Sequence, residues 1–65
     1  MALTLRRAAA HVGEFVTYTN PIDRKTKEIG VIERVDHRVV WVEYESWPTP
    51  VATHPDNLTL DRSSR

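Results

Sequence analysis

The chain has no cysteine, only two glycines, no excess charge of either sign and no long apolar run. Each absence excludes something. Without cysteine there is no disulfide and no thiolate metal site to hold a small fold together. A chain of 65 residues makes one domain that buries only about 60% of its unfolded surface. It must therefore pack a good core or share one by oligomerising. The missing cysteine also fits a reducing, cytoplasmic location. Gly13 and Gly30 stand seventeen residues apart, so no glycine-rich phosphate loop exists. Nine basic residues balance nine acidic ones. Dedicated nucleic-acid coats carry a basic excess, because phosphate neutralisation dominates their affinity. No apolar run approaches the roughly 18 residues of a membrane span. Arg6 and Arg7 sit where the apolar part of a signal peptide would have to be.

What remains is mostly strand-like. Thr4–Val12 predicts a short helix capped by Thr4 and stopped by Gly13, with Leu5, Ala8, Ala9 and Val12 on its docking face. Glu14–Thr19 is β-branched and aromatic, and Asn20-Pro21 ends it. A polar loop, expected to be exposed and mobile, leads to a second strand, Glu28–Val35. The alternation of that strand breaks at Glu33 and Arg34. One bulge would let Ile32 and Val35 both point inward, with Gly30 marking a bend. Asp36-His37-Arg38 closes a hairpin onto a third strand, Arg38–Ser46, and Trp47-Pro48-Thr49-Pro50 breaks it. Val51–Thr53 is a short fourth strand, His54–Asn57 a single helical turn and Leu58–Leu60 the last strand. Residues 1–13 thus form a helical segment, 14–61 a β domain and 62–65 a flexible polar tail.

Three pieces carry a resemblance. Val12-Gly13-Glu14-Phe15-Val16-Thr17-Tyr18 resembles the opening strand of a small SH3-like barrel. Gly30–Val35 with Val39–Tyr44 resembles its central hairpin, and Thr53–Leu60 resembles the turn into its last strand. The outline is similar to that of small bacteriophage and prophage proteins. It also resembles barrels of ribosomal and transcription factors and of Tudor-type readers. The resemblance implies an all-β, five-stranded SH3-like barrel with a short N-terminal helix, and it brings no catalytic residues. The acidic loop and paired tyrosines of proline-rich-peptide readers are missing, so that specificity is not carried over.

Catalytic and metal signatures are absent from the sequence. His11, His37 and His54 have no metal-ligand spacing, and no serine has a nucleophile-elbow context. Glu43 and Glu45 share a strand face, but paired carboxylates act on sugars only across a deep cleft, so a solvated face is the simpler account. No cofactor, no enzyme activity and no small-molecule substrate are therefore expected.

The aromatics say more. Most of Phe15, Tyr18, Trp41, Tyr44 and Trp47 are expected in the core, because each buries a large area. Trp41 is the exception. If Val40 and Val42 face inward, its indole faces outward. Either the N-terminal helix covers it or it anchors a partner. Trp47, beside two prolines, is a second anchor. An aromatic cage for a cation would need Trp41 or Trp47 beside Tyr18 or Tyr44.

The expected function is a non-enzymatic module that binds a protein partner or a second copy of itself through Trp41, Trp47, Glu43 and Tyr18. The alternative is an accessory nucleic-acid binder using Arg24, Lys25, Lys27, Arg34 and Arg38. Asp23, Glu28, Glu33 and Asp36 are interleaved with those cations, as on ordinary soluble surfaces. If the chain is viral, its place is the host cytoplasm.

Overall fold

A computed structural model describes residues 3–60. The tail expected over 62–65 lies outside the described residues. Helix α1 spans Leu5–Ala9. Strands β1 (Phe15–Thr19), β2 (Lys27–Val35), β3 (Val40–Tyr44), β4 (Val51–Thr53) and β5 (Leu58–Leu60) follow, with a 3-10 turn, Pro55–Asn57, between the last two. All pairings are antiparallel and form one sheet in the order β4-β3-β2-β1-β5. No hydrogen-bonded ladder joins β4 to β5 among the described residues. No helix among them is long and apolar enough to cross a membrane.

Thr4 caps α1 as expected, its hydroxyl accepting from Arg7 N–H at 3.1 Å. The helix is shorter than the sequence suggests, and its docking face is narrower. Ala8 is fully buried and Leu5 packs against the core, but Ala9 and Val12 are exposed. The reason is competition from the sheet. Gly13, at φ 92°, donates its N–H to Ile32 O at 2.8 Å, and Ile32 N–H donates to Glu14 O at 3.1 Å. These bonds extend the β1–β2 ladder backward and pull the chain out of the helix before Val12. The left-handed turn that makes this reversal suits glycine.

The inner sheet face carries Val16, Ile32, Val40, Val42, Tyr44 and Leu58, joined by Leu3 and Ala8. Tyr44 is the one aromatic of five that is buried. The expectation that most aromatics fill the core fails, because branched aliphatic residues already occupy it. The Leu3 N–H donates to Leu58 O at 3.0 Å and ties the segment before α1 to β5.

The bulge in β2 is present. Ile32 pairs with Val42, yet Arg34 pairs with Trp41 and Val35 with Val40, so Glu33 is the extra residue. A regular ladder would set Glu33 opposite Trp41 and Arg34 opposite the buried Val40. One inserted residue thus keeps a guanidinium out of the core and lets Val35 turn inward. Gly30 is also required where it stands. A β-carbon there would meet Val42 Cγ1 at 2.5 Å, Tyr44 Cδ1 at 2.8 Å and Glu43 O at 2.9 Å.

The loop between β1 and β2 is exposed but closed on itself. Asn20 N–H donates to Thr26 O at 2.9 Å, Arg24 N–H to Asn20 O at 2.8 Å, and Ile22 N–H to Asn20 Oδ1 at 2.8 Å. Asp23 Oδ1 accepts from the N–H groups of Lys25 and Thr26 at 2.8 and 3.0 Å. Arg24 takes the left-handed conformation, φ 59°, that so tight a reversal imposes.

Candidate functional site

Strand register decides which side chains converge. Val16 and Tyr18 lie on the inner face of β1, opposite Gly30 and Glu28 of β2. Gly30 in turn faces Tyr44 of β3. One end of the inner face therefore gathers Tyr18, Glu28 and Tyr44 instead of aliphatic residues. The turn after β3, held by Trp47 N–H donating to Tyr44 O at 3.2 Å, brings Trp47 to the same end. These four line a cavity of about 270 Å³, with Val51, Thr53 and Asn57 on its far side. It draws walls from β1, β2, β3 and β4.

The polar groups here are organised. Tyr18 and Tyr44 meet edge to face, with ring centroids 6.1 Å apart at 72°. Thr53 donates its hydroxyl to Val51 O at 3.2 Å. The Tyr44–Thr53 hydroxyl bond, 2.9 Å, therefore has Tyr44 as donor. Burial pushes the Tyr44 phenol above its ordinary value, and the nearby Glu28 carboxylate adds to the rise. Ser46 donates its hydroxyl to Glu28 Oε2. Glu28 Oε1 accepts no hydrogen bond among the described residues. Trp47 is 56% exposed.

Trp41 is a different case. Its parity is as expected: Val40 and Val42 are fully buried and Trp41 lies on the other face. Yet the indole is half-buried rather than open. Arg34, opposite it across the bulge, lays its guanidinium over the ring, 4.4 Å from the centroid. The apolar side of α1 goes to the core cluster through Ala8 instead. Trp41 Nε1 is buried and finds no hydrogen-bond partner among the described residues. Glu43 is exposed on the same outer face, beside Val31. Two sites missed from sequence stand there too: Phe15, paired with Val31 and 47% exposed, and Ile29, 56% exposed.

The residues proposed as protein anchors thus divide. Tyr18 and Trp47 come together at the cavity, whereas Trp41 and Glu43 lie on the outer face. Glu28 was also missed, although its even spacing from Gly30 and Ile32 signals an inward carboxylate.

The basic residues do not gather. Lys25 and Lys27 are exposed at one end of β2, while Arg34 and Arg38 lie at the other. Seven residues of strand at about 3.3 Å each separate Lys27 from Arg34 by roughly 23 Å. Arg24 borders a separate hollow of about 290 Å³ with Asp56 and Asn57. The three histidines serve local bonds. His11 Nδ1 lies 3.0 Å from Glu14 Oε2, His37 Nδ1 lies 2.6 Å from Asp36 Oδ1, and His54 Nδ1 accepts from Asp56 N–H at 3.1 Å, capping the 3-10 turn. No group of three or more His, Asp or Glu that could hold a metal forms among the described residues.

No family model, curated protein or solved structure matches this chain.

Proposed function

We propose that the chain is a non-enzymatic protein-interaction module on a small SH3-like barrel, of the kind it resembles among bacteriophage proteins. It acts in the cytoplasm, of the host where the chain is viral. Its antiparallel meander supports the fold reading, with the last strand returning beside the first and a 3-10 turn leading into it.

The convergence of Trp47, Tyr18 and Tyr44 around one cavity carries the functional reading. Tryptophan and tyrosine dominate interface hot spots because they bury much area at low entropic cost. The cavity falls below the about 300–1,000 Å³ of clefts that enclose drug-sized ligands. It suits a single side chain projecting from a partner surface. Self-association is the other version of the reading, and the exposed Phe15 and Ile29 on the outer face are where two copies would cover each other.

Affinity capture with the wild type and with Trp47→Ala, followed by identification of the retained proteins, tests the proposal. A partner held by the wild type and lost by a folded Trp47→Ala supports it. Equal capture by both removes the cavity from the reading. Retention of nucleic acid that falls steeply with salt would favour the basic residues instead.

A further inference from the structure

Among the described residues lining the aromatic cavity, Glu28 alone carries a full negative charge. Its bond to Ser46 is solvent-exposed, so the carboxylate stands at the open mouth of the cavity. The register aims Glu28 inward, between Tyr18 and the Gly30–Tyr44 pair, and its side chain is partly buried. A carboxylate at the mouth of an aromatic-lined hollow is placed to meet an incoming cation. Among the described residues no Lys or Arg lines the cavity; His54 does, with its Nδ1 accepting from the Asp56 N–H, and Ser46 supplies one neutral donor to Glu28 Oε2. Around the carboxylate stand three aromatic rings, whose faces attract cations.

We infer that the cavity receives an alkylammonium group, the side chain of a lysine presented by the partner protein, with Glu28 as its counter-ion and Tyr18 and Trp47 as its aromatic walls. This rests on the protein-binding reading above and names the chemistry of the recognised residue. The carboxylate favours lysine over arginine. A guanidinium is held best by both carboxylate oxygens in a planar fork, and here one oxygen is engaged by Ser46. A compact ammonium needs only Oε1, while its methylene stem lies against Trp47 and Val51. The volume admits one unbranched chain with room for water beside it.

The probe is the pentapeptide acetyl-Gly-Gly-Lys-Gly-Gly-amide, titrated into the full chain while the Trp47 indole and Tyr18 ring resonances are followed by NMR. Its counterpart replaces lysine with norleucine, which keeps the stem and removes the charge. Saturable shifts at Trp47 and Tyr18 with the lysine peptide are expected, about tenfold weaker in Glu28→Gln. The norleucine peptide should bind at least that much more weakly than the lysine peptide. Glu28→Gln preserves shape and the Ser46 contact, so the fold is retained. Trp47→Ala, altering an exposed side chain, is the second variant and should also weaken binding.

Equal binding of the two peptides, or binding indifferent to Glu28→Gln, would overturn the inference and leave an apolar pocket. Failure of both peptides to bind also overturns it. In either case a partner captured through Trp47 would still support the interaction module. Conversely, lysine-peptide binding that depends on Glu28, together with partner capture indifferent to Trp47, keeps the ammonium site and sinks the broader reading.

Discussion

The regions around the two tryptophans obey different rules. Trp41 sits within a strand, where alternation fixes the side it faces. Trp47 sits in a proline-flanked turn, where nothing in the local pattern fixes its direction. Yet Trp47 is the open one, and Trp41 is covered. Facing away from the core is not the same as facing solvent. A long amphipathic neighbour can close over an outward ring, and Arg34 does so with its guanidinium at 4.4 Å. What supplies that neighbour is the bulge at Glu33, which moves Arg34 into register with Trp41. The two regions therefore separate a structural tryptophan from an accessible one.

The largest expected effect breaks or upholds that separation directly. Trp41→Ala should cost roughly 2–3 kcal/mol, below the about 3–5 kcal/mol of a fully buried tryptophan because the ring is only half-buried. Trp47→Ala should cost less than about 0.5 kcal/mol, as changes at exposed positions do. Urea denaturation measures both, and equal losses would erase the distinction. Trp41→Phe should retain most of the stability, since it keeps an aromatic face under Arg34 and removes the partnerless Nε1–H.

Next in size is Gly30→Ala, which probes the inner face between the two regions. The added methyl meets Val42 and Tyr44 side chains and the Glu43 carbonyl at distances no real contact tolerates. Overpacking of this kind costs about 1–3 kcal/mol. Because Tyr44 must shift, the Trp47 cavity should also lose its shape, whereas the Arg34–Trp41 stack should keep its spectral signature. Tryptophan fluorescence of single-tryptophan variants reads the two sites separately.

A smaller loss, about 1 kcal/mol, is expected from Tyr44→Phe. It removes the bond to Thr53, while the Thr53 hydroxyl keeps its bond to Val51 O. Chemical denaturation checks it. A cost near zero would mean that this bond adds nothing to holding β3 against β4.

Much of this was legible in the sequence. All five strands are found within two residues of where β-branched runs and turn residues put them. The bulge was legible because Glu33 and Arg34 broke the alternation of β2. The length of α1 was not. Helical propensity in Ala8–Ala10 is local, but the hydrogen bonds that end the helix are made to Ile32, far along the chain. Nor was the cover over Trp41 legible, since it requires the register between two strands as well as the phase of each. Glu28 is the instructive miss. Its parity with Gly30 and Ile32 was readable, but its charge placed it among the surface residues.

The smallest effect concerns the two ends of β2, one leading to each tryptophan region. At the Trp47 end, Asp23 is held below its ordinary value of 3.8 by the backbone N–H groups of Lys25 and Thr26, then by the Thr26 hydroxyl. At the Trp41 end, Asp36 is held low chiefly by the backbone N–H of His37. A carboxyl whose folded value is depressed contributes stability above its unfolded value, and that contribution is lost as pH falls through the folded one. Both groups are solvent-exposed, so global stability should barely change. Instead, protection of the Lys25 and Thr26 amides from hydrogen exchange should be full above pH 3.8 and decline below it. Asp23→Asn should remove that pH step, since Asn keeps an acceptor oxygen but has no proton to gain in this range. The His37 amide should show a weaker step, because one backbone N–H rather than two depends on its carboxylate. Equal steps at both ends would mean that the extra Thr26 contacts do not hold the β1–β2 loop, and the Trp47 end would then be no better tied than the hairpin.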